Sequence, residues 1–246
     1  ASDDAAGLQI SETLRSQIRG NSKALDNVQD GINVLNTADG ALGAITDTLQ
    51  RIRELSVQAA NDTYSSAQRS AITGEVQQLV KDITRIANAT EFNGKKLLNG
   101  DQTAFRLQVG ANASATTNTI NVASAGTTNP FAAVDGDALS LGTSGSNLTF
   151  TNNSAALAAI SRIDAALTTI NTKRATLGAL TNRLETTASN LSVAIENFSS
   201  SESRIRNVDV ARESANLARN QILQQAAATV LAQANQSPQL ALQLLR

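Results

Sequence analysis

The stretch LRSQIRGNSKALDNVQDGINVLNTADGALGAITDTLQRI, residues 14–52, decides the fold. Its apolar positions are Leu14, Ile18, Leu25, Val28, Ile32, Leu35, Ala38, Leu42, Ile45, Leu49 and Ile52. They step by threes, fours and sevens, a return about every 3.5 positions, which is the seam of a coiled coil. Extended to residues 4–60, the pattern predicts one helix roughly 80 Å long at about 1.5 Å per residue. A compact globular domain has no room for such a rod, although a long helix in an ordinary bundle is the plainer alternative. Asn21 stands where the seam expects an apolar residue; a polar side chain there either fixes register at some cost in stability or faces solvent. Gly31 and Gly40 each weaken a helix by roughly 1 kcal/mol relative to Ala. The stripe keeps its phase across both, so the helix reads as continuous, or bent.

Composition supports rods over a ball. Aromatic residues are 2% of the 246, and Cys, His, Met and Trp are all zero. Burial must therefore come from Leu, Ile, Val and Ala, which suit narrow interlocking seams. Without Cys or His there is no thiol nucleophile, Ser-His pair, zinc finger or imidazole metal site. The 20 basic and 21 acidic residues give a net charge of −1, and no basic run has interleaved aromatics, which argues against nucleic-acid binding. No stretch has the length of a membrane span, and no basic-then-apolar signal peptide opens the chain. The chain begins in mid-pattern at Ala1, which leads us to expect that an N-terminal piece has been removed.

Taken in order, Asp3 and Asp4 suit the first turn of the long helix, where negative charge meets the positive dipole end. Asn61, Asp62 and Thr63 end it. A second helix follows from about Ser66 to Asn88, with Ile72, Val76, Leu79, Val80, Ile83 and Ile86 on one side, folding back antiparallel because the connection is short. Asn93-Gly94 and Asn99-Gly100 are turn signals, and Phe105, Leu107 and Val109 alternate with polar residues, so one or two β-hairpins cap the helices. Residues 111–153 are rich in Ser, Thr, Asn, Gly and Ala. Short strands are expected there at Thr119–Val122, Ala138–Leu141 and Asn147–Phe150, in a surface-like, loop-rich tip rather than a second core.

From Ser154 the long period returns through Ile160, Ile163, Leu167, Ile170, Leu177, Leu184, Ala188, Leu191, Ile195 and Phe198. A third helix to about Arg206 is predicted, about 75 Å long. The last forty residues differ. Val210, Leu217, Ile222, Leu223, Val230 and Leu231, with several Ala, make an amphipathic helix; from Gln221 to Leu245 there is no charge, and Pro238 is expected to interrupt it before Leu240, Leu242, Leu244 and Leu245. Such an end is either a disordered tail or a helix awaiting a partner, and its periodicity favours the helix.

Several stretches resemble bacterial flagellin, in the matching order. They are Gln50-Arg51-Ile52-Arg53-Glu54-Leu55-Ser56-Val57-Gln58-Ala59-Ala60-Asn61, Glu91-Phe92-Asn93-Gly94, Leu107-Gln108-Val109-Gly110-Ala111, Gln221-Ile222-Leu223-Gln224-Gln225-Ala226, Val230-Leu231-Ala232-Gln233-Ala234-Asn235-Gln236 and the closing Leu244-Leu245-Arg246. The resemblance covers about 1–111 and 155–246. It implies a mainly α fold, a long-helix coiled-coil bundle of the flagellin outer-tube type with a small β-hairpin region and a short variable tip. Residues 1–111 and 155–206 would form the helical rod domain, 112–154 a variable surface-exposed segment, and 207–246 the C-terminal inner-tube helix, without the family's N-terminal partner helix. The implied function is structural: a subunit that polymerises into the flagellar filament, extracellular, exported unfolded through the flagellar type III apparatus without a cleaved signal peptide. The implied partners are other flagellin subunits, an export chaperone, and the filament cap and hook-junction proteins. No enzyme activity, cofactor, metal, nucleic acid or membrane is implied.

Two surfaces follow from the resemblance. The face bearing Arg51, Leu55 and Gln58, with Glu75 on the second helix nearby, matches the patch that the vertebrate innate immune receptor for flagellin (Toll-like receptor 5) reads on the monomer; from the residues alone it is most simply a solvated helix face. Ile222, Leu223, Val230, Leu231, Leu240, Leu242 and Leu245 match the region that the chaperone covers before export and that packs in the inner tube afterwards. Asn112-Ala113-Ser114 and Asn147-Leu148-Thr149 are glycan acceptor triplets, a pattern that arises often by chance. A hook–filament junction protein shares the architecture and is the alternative. A metallopeptidase-bearing flagellin would need a His-Glu-x-x-His motif, and a generic coiled-coil scaffold would not explain the uncharged terminus.

Overall fold

The computed structural model describes residues 5–101, 105–123, 129–142, 148–207 and 209–244. Four helices carry the fold: α1 (Ala5–Ala59), α2 (Ser66–Ala89), α3 (Asn153–Arg206) and α4 (Val210–Leu244). Between α2 and α3 lie two small antiparallel sheets, β1 (Glu91–Phe92) with β2 (Lys95–Lys96), and β3 (Phe105–Gln108) with β4 (Thr119–Ala123). The chain forms two compact units, one of residues 16–197 and one of 1–15 with 198–246.

In the larger unit the seam of α1 closes as its period requires. Val28, Ala38, Leu42, Ile45, Leu49 and Ile52 are wholly buried, opposite Ile163, Ile170, Leu177 and Leu184 of α3 and Val76, Val80 and Ile83 of α2. Asn21 is buried too, so it faces the interior. Ion pairs fix the antiparallel register of α1 and α3: Arg53 Nε lies 2.7 Å from Asp164, and Arg174 Nε 2.9 Å from Asp39. Many hydroxyl residues are tolerated in α3 because their side chains bond their own helix. Thr168, Thr172 and Thr176 donate to the carbonyls of Asp164, Thr168 and Thr172, each four residues back.

The corner between α1 and α2 is built by side chains. Ser65 and Gln68 form a capping box that starts α2, the Ser65 hydroxyl accepting from Gln68 N–H while the Gln68 side chain accepts from Ser65 N–H. The Arg69 guanidinium donates to the Ala59 carbonyl at 2.9 Å and the Asn61 carbonyl at 3.0 Å, and the Asn153 amide donates to the Ala60 carbonyl. These are carbonyls that the end of α1 leaves without intrahelical partners. The short α1–α2 connection thus gives the antiparallel return that the sequence predicts.

The Asn93-Gly94 turn is also as expected. Both residues have positive φ (49° and 75°), and the two-residue loop closes the pairing of Phe92 with Lys95. Gly31 serves a close approach: a Cβ there would stand 2.4 Å from Leu107 Cδ1, so its absence makes the notch in α1 that receives β3.

Three expectations need correction. The segment 112–154 is not a loop-rich surface tip throughout, because Ile120, Val122, Phe131, Val134, Leu139, Leu141, Leu148 and Phe150 are buried. It lies along α2 and α3: Val134 N–H donates to the Leu98 carbonyl, Gly136 N–H to Thr84 Oγ1 and Phe150 N–H to Thr73 Oγ1. Ala138–Leu141 is a turn, in which the Leu141 and Gly142 N–H groups both return to the Gly136 carbonyl, and residues 148–150 form no strand; Asn147 lies outside the described residues. The expected strand at Thr119–Val122 is present as β4. Finally, Pro238 does not interrupt α4, which continues to Leu244. A proline forfeits one backbone bond, and the turns on either side keep theirs.

Candidate functional site

The predicted patch on α1 and α2 is assembled, with one exception. Arg51 reaches Glu75 on α2 at 3.1 Å and Glu54 on its own helix at 3.2 Å, and all three are exposed. Glu75 and then Glu54 push the Arg51 guanidinium further up from its ordinary value, so it is a fixed cation. Two helical turns on, the Gln58 amide donates to the Tyr64 hydroxyl at 2.9 Å. The exception is Leu55, which is only 3% exposed and belongs to the core. Its place one turn after Arg51 is right, but α2 covers that side of α1. Leu55 supports the patch from beneath.

In the smaller unit, Glu12 and Glu202 share Arg206 at 3.6 Å each. Asp209 starts α4 by accepting from the N–H groups of Ala211 and Arg212. Beyond this cap, α4 carries large apolar side chains that nothing covers: Ile222 is 65% exposed, Leu223 59%, Val230 66% and Leu231 62%. Leu217, Leu223, Val230 and Leu231 recur on one broad face, while Ile222 stands on the other side among Ala residues, so the helix offers apolar surface on more than one flank. The side chains of Leu240 and Leu242, and all of Leu245, lie outside the described residues, as do Asp3 and Asp4.

Two positions carry roles that the seam pattern does not announce. Arg69 stands in the first turn of α2, where the helix dipole disfavours a cation; that misplacement is the signal of its capping role. Lys173 occupies a seam position of α3 and is buried, its ammonium donating to the Asn129 carbonyl at 3.0 Å and the Ala132 carbonyl at 3.2 Å. Burial pushes its pKa down. It pins the loop whose Phe131 packs edge-on against Phe105 at 5.5 Å.

Among the described residues no cluster of acidic side chains could hold a metal ion, and no helix is long and apolar enough to cross a membrane. What the molecule offers is surface. Residues 1–103 match the bacterial flagellin N-terminal helical region, and residues 160–245 match the bacterial flagellin C-terminal helical region. The chain is 45% identical to a flagellin of Halalkalibacterium halodurans over all of its own length and 86% of that protein. It is 43% identical to the flagellar filament 33 kDa core protein of Treponema phagedenis, over all of this chain and 87% of the other. Among solved structures, Bacillus cereus flagellin is similar with a TM-score of 0.55 and 31% identity, over 68% of this chain and 88% of that one. Three long helices closed on a common core, a fourth left uncovered, two small antiparallel sheets and these matches lead to one conclusion: the chain belongs to the bacterial flagellin family, as a structural subunit of the flagellar filament.

Proposed function

We propose that α4 is the surface by which the subunit is first held and then built in. The carrying observation is the uncovered row Leu223, Val230 and Leu231 with Ile222 behind it. Each side chain forgoes on the order of 1.5–3 kcal/mol of burial while it faces water. An export chaperone covers this length before the unfolded chain passes through the flagellar type III apparatus; in the filament, α4 packs in the inner tube. The cap and hook-junction proteins are the neighbours at the two ends. Calorimetry with the chaperone tests the reading: deleting residues 207–246 abolishes binding, and unchanged affinity would refute it. The hook–filament junction alternative is separated by seeded growth, since a filament subunit extends a filament and a junction protein does not.

A second reading concerns the monomer. The face bearing Arg51, Glu75 and Gln58 is the one that the innate immune receptor recognises, and the bridge that Arg51 makes across two helices favours it. An Arg fixed between carboxylates on a rigid helix pair is a preorganised anchor. Arg51→Ala lowers receptor signalling by purified monomer and leaves its melting curve unchanged. Leu55→Ala acts differently, by loosening the core, and shows as reduced stability. Wild-type potency for both Arg51→Ala and Glu75→Ala would sink the assignment.

A further inference from the structure

The larger unit holds two Asn-Gly pairs, Asn93-Gly94 and Asn99-Gly100, and the fold treats them differently. An asparagine before glycine is open to attack on its side-chain amide by the next backbone nitrogen, since no Cβ on the glycine stands in the way. At Asn93 the turn works against this. Asn93 and Gly94 have φ of 49° and 75°, Phe92 pairs with Lys95 and Glu91 with Lys96, and the Lys96 ammonium bonds the Glu91 carboxylate. Closing a five-membered ring through Asn93 has to undo that left-handed turn and the pairing it supports.

Asn99 is built otherwise, with its side chain folded over its own backbone. The Asp101 N–H donates to Asn99 Oδ1 at 3.0 Å, and the Asn99 amide donates to the Asp101 carboxylate. The first bond draws electrons from Asn99 Cγ and stands where negative charge gathers on Oδ1 during attack. The second puts a proton acceptor against the nitrogen that has to leave. Between them the nucleophile is unoccupied: Gly100 N–H makes no hydrogen bond among the described residues. Exposure alone would choose Asn93, which is exposed whereas Asn99 is half-buried. The hydrogen bonds choose Asn99.

We propose that Asn99 is a self-modifying site, converting to aspartate and its β-linked isomer without any partner. The Gly100 nitrogen bonds to Asn99 Cγ, its proton passes by the Asp101 carboxylate to the amide nitrogen, and the Cγ–Nδ2 bond breaks to release ammonia. Water then opens the cyclic imide at either carbonyl. Asp101 touches the reacting amide and is the catalytic residue of this step.

The conversion reaches the fold through its neighbours. The Leu98 carbonyl accepts Val134 N–H at 3.0 Å, and a Cβ at Gly100 would stand 3.2 Å from Ala133 Cβ. The β-linked product lengthens the backbone between those two contacts, and either product sets a second carboxylate beside Asp101. The segment carrying the buried Phe131 and Val134 is thereby loosened.

The test ages the full chain at neutral pH and digests it with trypsin. Cuts after Arg85, Lys95, Lys96 and Arg106 place Asn93 and Asn99 on separate peptides. In the folded chain the Asn99 peptide is expected to gain the amide-to-acid mass difference while the Asn93 peptide lags. In urea, where only the Asn-Gly sequence counts, the two peptides age alike. Asp101→Ala slows the Asn99 conversion of the folded chain at least about tenfold, through loss of a positioned proton acceptor, and leaves the rate in urea unchanged. Hydrogen exchange at Val134 quickens in step with conversion. Equal or reversed rates in the folded chain, no conversion at either site, or a wild-type rate for Asp101→Ala overturns the assignment. Conversion with unchanged exchange at Val134 overturns the loosening.

Discussion

Two stretches of this chain use the same residues to opposite ends. Leu42, Ile45, Leu49 and Ile52 of α1 are wholly buried, whereas Ile222, Leu223, Val230 and Leu231 of α4 are more than half exposed. Both stretches are helical and rich in large apolar side chains, which keep to one stripe in α1 and spread over more than one flank in α4. The second difference is a partner: α3 and α2 return along α1 within the same unit, and no described element covers the apolar side chains of α4. Periodicity announces that a face is to be buried; it does not say by what.

That contrast can be broken most directly in the monomer. Leu49→Ala or Ile52→Ala, each opening a hole in a closed seam, costs about 3 kcal/mol in urea unfolding. Val230→Ala in α4 leaves the same curve in place, since an uncovered side chain loses nothing in the monomer. Equal losses for both would mean that α4 has a cover in the monomer. A smaller effect is expected at the notch. Gly31→Ala drives a methyl into Leu107 and costs about 2 kcal/mol, while Gly40→Ala, whose added methyl meets nothing within 4 Å, stabilises α1 by about 1 kcal/mol. Paired melts of the two variants, moving in opposite directions, check this.

Arg69→Ala should cost about 1–2 kcal/mol, because the terminal carbonyls of α1 lose a charged donor. Hydrogen exchange then quickens at the end of α1 before any change in α4. The smallest effect is a slope with pH. Burial depresses the Lys173 pKa below its ordinary 10.5. Between the depressed value and 10.5 the folded state binds fewer protons than the unfolded state, so stability rises with pH across that window. Lys173→Met removes the slope; urea midpoints at neutral pH and just below the ordinary value show whether it does.

How much of this was legible in the sequence follows from the size of each signal. The long seams repeat over dozens of residues, and α1, α2 and α3 are where their period puts them, within a residue or two at their ends, whereas α4 runs on past the Pro238 at which the sequence predicts a break. The Asn93-Gly94 turn is equally plain, because few dipeptides accept two successive positive φ values. The segment 112–154 is not, since Phe131, Val134, Leu139, Leu141, Leu148 and Phe150 are spaced without period among small polar residues. They are placed by bonds to Leu98, Thr84 and Thr73, which no local pattern encodes. Leu55 illustrates the limit within a helix. Its spacing from Arg51 and Gln58 puts it near their stripe, but only the docking of α2 decides that it lies under the surface.

The ties that close the larger unit reach far along the chain. Arg174 and Asp39 are 135 residues apart, Arg53 and Asp164 111, and Asn153 and Ala60 93. None can form while only half of the polypeptide, from either end, is free to fold. Until then α1 has only α2 to lean on, and loop closure over such spans is slow compared with local winding. The pairing of α1 with α3 is therefore the last part of the larger unit to close, when its two distant helices first meet.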